Sequence, residues 1–423
     1  GHNPDNRHRR VRRRHGGNRN REDPSRARCR RRRDGPAHPP RGQLRRGYGA
    51  RRLQHARRAS RHDALRRRGE AIGAFRVPRY QVRAPREGQP WLVMVLFVCL
   101  TAVLSALLDN VTTVLLIGPM TVTVCRLLDL DPLPFFLAEI MASNIGGTAT
   151  LIGDPPNIMI GSAAGLSFAD FVMVDAPAAI ICLIVMIGLF YLLFGRKFKV
   201  DEEHKRALME RDEREEIKNP TLLRQSVIMI ILVTAGFMLH GSLGVESCVV
   251  ALTAAGILML ISGERIEEAL AHVEWTTLVF FAGLFIVVGA LSEVGVIGML
   301  AQALIDVTGG STFIAMLVLL IASAIISSFL DNIPFVATMI PILLSMEATG
   351  MDVMPLWWAV SLGACLGGNG TLIGASANVV MSDIAKKHGT EITFMGFLKY
   401  GFPIMLVTIA VSAVYLVVRF PPM

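Results

Sequence analysis

The chain of 423 residues joins two compositions near residue 90, so its overall charge of +10 describes neither part. Residues 1–90 carry 29 Arg, no Lys and 7 acidic residues, whereas residues 91–423 carry 15 Lys or Arg and 27 acidic residues. The long apolar runs of the second part exclude an ordinary soluble domain, and the scattered cysteines indicate neither a disulfide framework nor a metal site. We predict a protein that is not an enzyme and needs no cofactor.

Residues 1–88 form an arginine-rich segment that has two interpretations. As native sequence, it would be a disordered basic arm that binds nucleic acid or anionic lipid through its charge. The lack of Lys argues against this, because electrostatic attraction accepts either cation. A one-base shift of frame across Arg52–Leu65, with a permissible choice of codons, gives an apolar helix that opens with an acidic residue. We therefore favour a frameshift, with the native frame resuming at about Pro85–Trp91, and expect no nucleic-acid partner.

Residues 89–195 form the first apolar half, in which three elements are predicted. Trp91–Arg126 exceeds the roughly 20 residues of one membrane span and carries Asp109-Asn110 at its middle, which predicts a re-entrant hairpin. Pro134–Ile160 is apolar at both ends and interrupted by GGTATLIGDPPN, which predicts a span with an unwound middle. Phe171–Phe194 is predicted to be a closing transmembrane helix.

Residues 196–224 are predicted to be a cytoplasmic connector, because Gly195–Arg224 contains nine Lys or Arg among its charges. Residues 225–423 form the second apolar half. Its predicted elements are spans near 226–240, 245–262 and 275–292, a hairpin at about 312–346, a broken span at about 355–381 and a final helix at about 402–419.

A two-part motif occurs once in each half. The segments LLDNVTTVLLIGP and NIGGTATLIGDPPN have FLDNIPFVATMIP and LGGNGTLIGASAN as their counterparts, and Asp109 and Asn110 recur 222 positions later as Asp331 and Asn332. Two such copies inside apolar segments are typical of a transporter built from repeats, here with the first repeat incomplete at its N-terminus. Counting spans from a cytoplasmic connector makes the repeats inverted. The sequence thus predicts an all-α polytopic membrane protein with two inverted repeats, each with a re-entrant hairpin and a broken transmembrane helix.

The polar residues of the motif are candidate ligands. An isolated carboxylate within a bilayer costs several kcal/mol, so Asp109 and Asp331 need a proton, a buried polar partner or a cation such as Na⁺. Glycine pairs admit a ligand close to the backbone, and unwinding frees carbonyl groups for cations and N–H groups for anions. The candidate ion- or substrate-binding residues are Asp109, Asn110, Thr112, Asn144, Gly146, Gly147, Thr148, Thr150, Asp154, Asn157, Asp331, Asn332, Gly367, Gly368, Asn369, Thr371 and Asn378.

These residues also have a purely structural interpretation, in which Asp-Asn caps a helix and Gly-Gly bends one. A single motif would favour that interpretation, whereas two matched copies within lipid-length segments favour a functional site. Asp154 has Ala375 as its counterpart and so breaks the symmetry of the repeats. It could set substrate or coupling preference, or cap the half-helix that begins at Pro155-Pro156.

The motifs resemble those of the Ion Transporter superfamily. The tips DNVTTVLLIGP and DNIPFVATMIP are similar to the Ser-Asn-Thr tips of its sodium–dicarboxylate symporters, and the broken segments resemble those of the citrate-transporter-like subgroup with the P protein and the ArsB-like arsenical permeases. The resemblance covers about residues 85–423. It implies a homodimer, and cation or proton sites built from Asp109-Asn110 with Gly146–Thr150 and from Asp331-Asn332 with Gly367–Thr371.

The resemblance leaves the substrate open. This chain has Asp where the dicarboxylate symporters have Ser, and the added negative charge disfavours a di- or tricarboxylate unless it is neutralised. Neutral arsenite would tolerate the acids, so the leading hypothesis is an ion-coupled arsenite or oxyanion efflux permease that exchanges protons. The alternatives are a sodium/proton antiporter and a citrate or dicarboxylate transporter. We expect a multi-pass protein of the plasma (inner) membrane, with a small inorganic ion or anion as substrate and a proton or Na⁺ as the coupling ion.

The frameshift hypothesis is tested by reading the DNA that encodes residues 1–95 again from the source genome. We expect a single inserted or missing base whose correction opens a frame with an apolar helix beginning near position 52. An unchanged arginine frame would contradict the hypothesis and would make the basic arm native sequence.

Overall fold

A computed structural model of the chain describes residues 90–195, 220–262 and 275–422, with residues 267, 270, 271 and 273 between the last two ranges. The expectations for residues 1–88 and for most of the connector, up to residue 219, lie outside the described residues. Within those ranges the regular elements are helices, and no strand occurs among them. The protein is therefore a nearly all-helical molecule wherever its structure is described.

The first half contains five helices. The motif residues Leu108 and Asp109 separate α1 from α2, and residues 149–154 separate α3 from α4. Both interruptions lie where the sequence predicts them. The helices are α1 Pro90–Leu107, α2 Asn110–Leu127, α3 Leu133–Thr148, α4 Pro155–Ala164 and α5 Phe168–Phe190, and a π-helical turn at Tyr191–Gly195 continues α5.

The second half contains nine helices in its described residues. Leu330 and Asp331 separate α10 from α11, and residues 368–375 separate α12 from α13. These helices are α6 Pro220–Leu243, α7 Ser247–Ser262, α8 Trp275–Glu293, α9 Val296–Thr308, α10 Thr312–Phe329, α11 Asn332–Ala348, α12 Met354–Gly367, α13 Ser376–Lys387 and α14 Phe394–Arg419. Four of them differ from the predicted bounds. Helix α6 begins within the predicted connector, α13 ends six residues after residue 381, α14 begins eight residues before residue 402, and α9 was not predicted.

Helix α9 follows α8 after a bend of 72°. Gly295 makes the bend possible, because its φ of 79° lies in the left-handed region that favours glycine. The helix has only 13 residues and buries one side through Ile297 and Ala301, which pack toward α10 and α11. It was not predicted because 13 residues are too few for a membrane span, which needs about 20.

The two halves make the same contacts. Helix α1 packs on α3 as α10 packs on α12, and α2 packs on α13 as α11 packs on α4. The hydrogen bonds repeat as well: Ser105 Oγ donates to the Ser143 carbonyl over 2.7 Å, and Ser327 Oγ donates to the Ala364 carbonyl over 2.7 Å. Since α3 also packs against α12, the two broken helices lie side by side at the centre of these contacts.

Five of the described helices are long and apolar enough to cross a membrane, or six if the bent pair α8–α9 counts as one span. Large apolar side chains are also left exposed along several helices, such as Leu252, Leu260 and Ile286. Exposed apolar surface on this scale is stable in lipid rather than in water. The described residues therefore form a multi-pass membrane protein.

Glycine allows the broken helices to approach their neighbours closely, which gives a test of the packing. A Cβ atom at Gly146 would lie 2.2 Å from the Ala102 carbonyl oxygen, and one at Gly367 would lie 2.6 Å from the Ala324 carbonyl oxygen. Because backbone must move to admit either methyl group, Gly146→Ala and Gly367→Ala should each lower the unfolding free energy by about 1–3 kcal/mol.

The measurement is thermal unfolding of the purified chain in detergent. Gly283→Ala is the matched control, since nothing lies within 4 Å of a Cβ atom at that helical position. Alanine is also the better helix former, so the control should be neutral or slightly stabilised. Equal melting temperatures for all three variants would contradict the close packing.

Candidate functional site

Two asparagines hold the unwound turns of the broken helices. Asn157 Nδ2 donates to the carbonyl groups of Thr150 (3.0 Å), Thr148 (3.2 Å) and Gly147 (3.4 Å). Its counterpart Asn378 donates to Thr371 (2.9 Å) and Gly368 (2.7 Å). A buried carbonyl group that has left its helix needs a donor, because no water surrounds it. The two side chains therefore replace the helical hydrogen bonds that the glycine turns give up.

Two threonines tie these turns to the neighbouring helix breaks. Thr150 Oγ1 donates to the Ala106 carbonyl over 2.5 Å, and Thr371 Oγ1 donates to the Ser328 carbonyl. Each threonine hydroxyl also accepts from a backbone N–H group of its own turn, Gly153 in the first half and Ile373 in the second. Both of these predicted site residues thus fix the shape of the site through their hydroxyl hydrogens.

Asn144 lies at the centre of the site, where α3 meets α12 and α13. Its Nδ2 atom donates to Asn369 Oδ1 and to Asn378 Oδ1, each over 2.9 Å, so it links the first broken helix to the second. The Asn144 side chain is fully buried, and its Oδ1 atom has no hydrogen-bond partner. Thr148 completes this group by donating to the Asn144 carbonyl over 2.8 Å. Four of the predicted site residues therefore meet here.

Asp154 joins the first broken helix to the second Asp-Asn pair. Its carboxylate accepts from Asn332 Nδ2 at 3.0 Å and 3.2 Å, and Asp154 and Asn332 are 1% and 3% exposed. Asp154 stands directly before α4 and makes no capping hydrogen bond, so its side chain is directed to the other repeat. The contact has no equivalent in the other copy, since Ala375 occupies the matching position. Asp154 thus makes a contact between the halves that only one of the two copies has.

Asp109 and Asp331 cap the helices that follow them. Asp109 accepts from the Thr112 N–H group over 3.0 Å, and Asp331 accepts from the Ile333 N–H group at 3.5 Å and from Ser376 Oγ at 3.3 Å. Both side chains are only partly buried. Both lie near enough to Asp154 for their negative charges to repel its carboxylate. The capping role expected as an alternative is therefore present, within a group of three acids.

A further acid, Asp175 of α5, lies on the opposite side of Asn157 from the unwound turn. Ser361 Oγ is 2.5 Å from Asp175 Oδ2 and 2.8 Å from Asn157 Oδ1, and all three side chains are fully buried. Cys365 Sγ also reaches Asn157 Oδ1, over 3.4 Å. In the sequence, Asp175 lies within the apolar run Phe171–Phe194 and is not among the predicted site residues. An ionisable residue inside a predicted span is itself a signal of function, and that signal would have found it.

The third buried carboxyl group, after those of Asp154 and Asp175, is that of Glu139 on α3. Thr121 Oγ1 lies 2.5 Å from its Oε1 atom, whereas its Oε2 atom has no hydrogen-bond partner. No Lys, Arg or His is buried in the described ranges, and no cluster of three or more His, Cys, Asp or Glu there could hold a metal ion. The interior of the described protein is thus rich in acids and acceptor oxygens and lacks basic side chains.

Helix N-termini explain why the acids at the breaks are tolerated. Asp109, Asp154 and Asp331 immediately precede α2, α4 and α11, where unpaired N–H groups give a positive partial charge. A free anion could be stabilised by the same helix ends. Here the protein's own carboxylates lie next to them, so the electrostatics favour a cation, a proton or a neutral solute.

The sequence matches the citrate transporter family, CitMHS, over residues 84–363. The chain is 45% identical over 336 residues to a 46 kDa membrane protein of Mycobacterium leprae and 46% identical over 337 residues to an uncharacterized transporter of Mycobacterium tuberculosis. Each alignment covers 79% of this chain and 78% of the relative. The chain is also 34% identical over 428 residues to the human P protein, covering 82% of this chain and 50% of that protein.

The chain belongs to the citrate transporter family and is a membrane transporter of that class. The Mycobacterium tuberculosis relative is named a transporter, which agrees with the transporter class that the sequence predicts. The resemblance to the P protein is confirmed, whereas the arsenical-pump type is not established by these comparisons. The match begins at residue 84, beside the position where the native frame is expected to resume, and the origin of residues 1–88 stays a prediction.

The contact between Asp154 and Asn332 predicts energetic coupling between the repeats. Asn332→Ala should lower the unfolding free energy by about 1–3 kcal/mol, because it removes the amide that donates to both oxygens of the buried Asp154 carboxylate. Removing the acid as well, in Asp154→Ala/Asn332→Ala, should recover part of that loss. The measurement is thermal unfolding in detergent. The control is the corresponding pair of positions in the other copy, with Asn110→Ala combined with Ala375→Ser. Strict additivity at Asp154 and Asn332 would contradict the coupling.

Proposed function

We propose that this protein is an ion-coupled secondary transporter whose substrate and coupling ion bind where the two helix breaks of each repeat meet. In this proposal the repeats are inverted, and α1–α2 and α10–α11 are re-entrant hairpins with Asp109 and Asp331 at their tips. The matched contacts of the two halves support it, because inverted repeats of similar structure give alternating access a physical basis. Each half can adopt the conformation that the other has left.

The observation that carries the choice of substrate is the unpartnered Oδ1 atom of Asn144. This acceptor is fully buried between the broken helices, and Asp154 adds a buried carboxylate where the first broken helix meets Asn332. An acceptor without a donor is unfavourable in a dry interior, so a ligand that brings a positive charge or an O–H group is stabilised there. A multiply charged anion gains nothing from such groups.

Arsenite is our leading substrate, because at neutral pH it is an uncharged acid with three O–H donors. Its hydroxyl groups match acceptors such as Asn144 Oδ1, and its lack of charge avoids repulsion from Asp109, Asp154 and Asp331. Export would be driven by protons that enter in exchange. We place the protein as a homodimer in the plasma (inner) membrane.

A sodium/proton antiporter is the second candidate, favoured by the position of the tip acids. Asp109 and Asp331 are only partly buried, so a cation could reach them from water, and both lie close to Asp154. Like charges at short range make the binding of a cation or proton favourable at one site when the others are ionised. Citrate, which the family name suggests, is the third candidate and would need its charge neutralised before binding.

Proton movement in proteoliposomes distinguishes the three candidates. Vesicles that contain the full chain and an internal pH-sensitive dye are given arsenite, sodium chloride or citrate in turn. We expect arsenite to change the internal pH without any response to sodium. A response to sodium alone would establish the antiporter, and a response to citrate alone would establish a carboxylate transporter. No response to any of the three would contradict the proposal of proton-coupled transport of these solutes.

Replacing either tip acid should abolish coupling. Asp109→Asn and Asp331→Asn keep the shape of the side chain and an oxygen that can cap the helix, but they remove the charge that binds a proton or cation. We expect loss of solute-driven proton flux in both variants with normal amounts of protein in the membrane. Glu347→Gln, an exposed acid at the far end of α11, is the matched control and should keep full flux. Unchanged flux in both tip variants would exclude Asp109 and Asp331 from the site.

A further inference from the structure

We propose that Asp175 is the proton-binding residue of the first repeat: it is protonated in this conformation and controls the unwound turn through Ser361 and Asn157. This inference rests on the proposed proton-coupled transport for its functional meaning. Its structural part, a neutral Asp175 that donates a hydrogen bond to Ser361, stands on geometry alone. Neither the Asp-Asn motif nor the family match points to this residue.

The orientation of Asn157 is fixed by its neighbours. Its Nδ2 atom faces the carbonyl groups of Gly147, Thr148 and Thr150, which can only accept. Turning the amide over would place its oxygen against these three oxygens and lose all three of these hydrogen bonds. The Oδ1 atom must therefore face Ser361 and Cys365, and at least one of these must donate to it.

The single hydrogen of Ser361 then determines the state of Asp175. Ser361 Oγ lies within hydrogen-bond distance of two oxygens, Asn157 Oδ1 at 2.8 Å and Asp175 Oδ2 at 2.5 Å. One hydroxyl group has one hydrogen, so both contacts are satisfied only if Asp175 carries a proton and donates it to Ser361. If Asp175 were ionised, Ser361 would donate to it, and Ser361 Oγ and Asn157 Oδ1 would face each other as two acceptors.

The surroundings of Asp175 agree with a neutral acid. Its side chain is fully buried, and its second oxygen, Oδ1, has no hydrogen-bond partner. An ionised carboxylate in that position would lack a counter-charge and half of its hydrogen bonds, which is costly in a dry interior. A protonated carboxyl group needs a single good acceptor for its proton, and Ser361 provides it.

The ionisable groups on the helices that pack against α5 do not supply a counter-charge. From α12 the neighbour is Cys365, and from α14 it is Tyr415, which donates to the Val174 carbonyl over 2.7 Å. On α3, Glu139 bonds to Thr121 of α2 instead. The remaining ionisable side chains described on α14, α6 and the π-helical turn are Lys399, Tyr400, Arg419, Arg224 and Tyr191, none of which is buried.

Loss of the proton would change the hydrogen bonds of the unwound turn. The Asp175 O–H bond breaks, the proton passes to water on the side to which the transporter is open, and the Ser361 hydrogen turns to the new carboxylate. Asn157 Oδ1 then loses its donor from Ser361 and keeps only the weak Cys365 S–H donor. Because Asn157 holds the carbonyl groups around Gly147 and Thr148, the proton on Asp175 and the shape of the ion site are linked.

The second repeat has no equivalent acid. Helices α5 and α14 align at an offset of 226 residues, which matches the N-cap Ser167 with Thr393 and the interior Pro177 with Pro403. At this offset the counterpart of Asp175 is Gly401. In that repeat, Asn378 Oδ1 receives its hydrogen bond from the amide of Asn144, which does not titrate. Of the two unwound turns, only that of the first repeat is therefore linked to an acidic side chain on the helix that closes its repeat.

Infrared spectroscopy tests the protonation state directly. The full chain is reconstituted in lipid, and the C=O stretch of protonated carboxyl groups is recorded at neutral pH for the wild type, Asp175→Asn, Ser361→Ala and the control Glu139→Gln. We expect Asp175→Asn to remove a band that Glu139→Gln leaves in place. Ser361→Ala should shift that same band to higher frequency, because the carboxyl proton loses its acceptor. A wild-type spectrum that is unchanged in both Asp175→Asn and Ser361→Ala would overturn the proposal.

Two further readouts separate failure of this inference from failure of the proposed function. If Asp175→Asn does not fold, the band shift in Ser361→Ala decides the matter. If both variants fold, Asp175→Asn should lose arsenite accumulation driven by a pH gradient yet keep exchange of arsenite across vesicles at equal pH. Wild-type accumulation in Asp175→Asn would contradict a coupling role. A wild type without any pH-driven flux would contradict the proposed function, while the infrared result on Asp175 would still stand.

Discussion

The structure depends on how a membrane protein satisfies backbone groups that have left a helix. In lipid a free carbonyl group has no water to bond, so a helix can unwind there only if side chains replace the lost hydrogen bonds. Asn157 and Asn378 do this in the two repeats, each holding carbonyl groups of its own turn. The other features of the site follow from these two side chains, since each Asn oxygen must in turn receive a donor. In one repeat that donor is Asn144, and in the other it is Ser361 beside Asp175.

The two repeats share the contacts that hold their helix breaks and differ in their buried acidic side chains. The glycine contacts, the Ser105 and Ser327 hydrogen bonds and the threonine hydrogen bonds are common to both copies, so both breaks are held by the same kinds of contact. The acids differ, because Asp154 and Asp175 have Ala375 and Gly401 as their counterparts. A transporter that couples two species needs its sites to be distinguishable. Placing the buried acids of the site in one repeat is a simple way to achieve this.

The sequence predicted the helical class and the helix breaks, because its polar, glycine-containing motifs interrupt lipid-length apolar segments. The inverted arrangement and the re-entrant hairpins stay predictions. Both interruptions of each repeat lie where Asp-Asn and Gly-Gly indicated them. The missed elements have physical reasons. Helix α9 is too short to resemble a membrane span. Asp175 became visible as a site residue only because α5 packs against α12 and brings Ser361 to its carboxyl group. Partners across 186 residues cannot be inferred from one sequence without a matching motif.

In the proposed transporter, Asp154 and Asn332, which are in contact across the two repeats, belong to the binding site. Arsenite-driven proton flux in the exchanged variant Asp154→Asn/Asn332→Asp tests this claim most directly. The account predicts that Asp154→Asn alone loses the flux and that the exchanged variant recovers a measurable part, because the carboxylate–amide pair is restored with its charge on the other repeat. Full flux in Asp154→Asn would contradict the account.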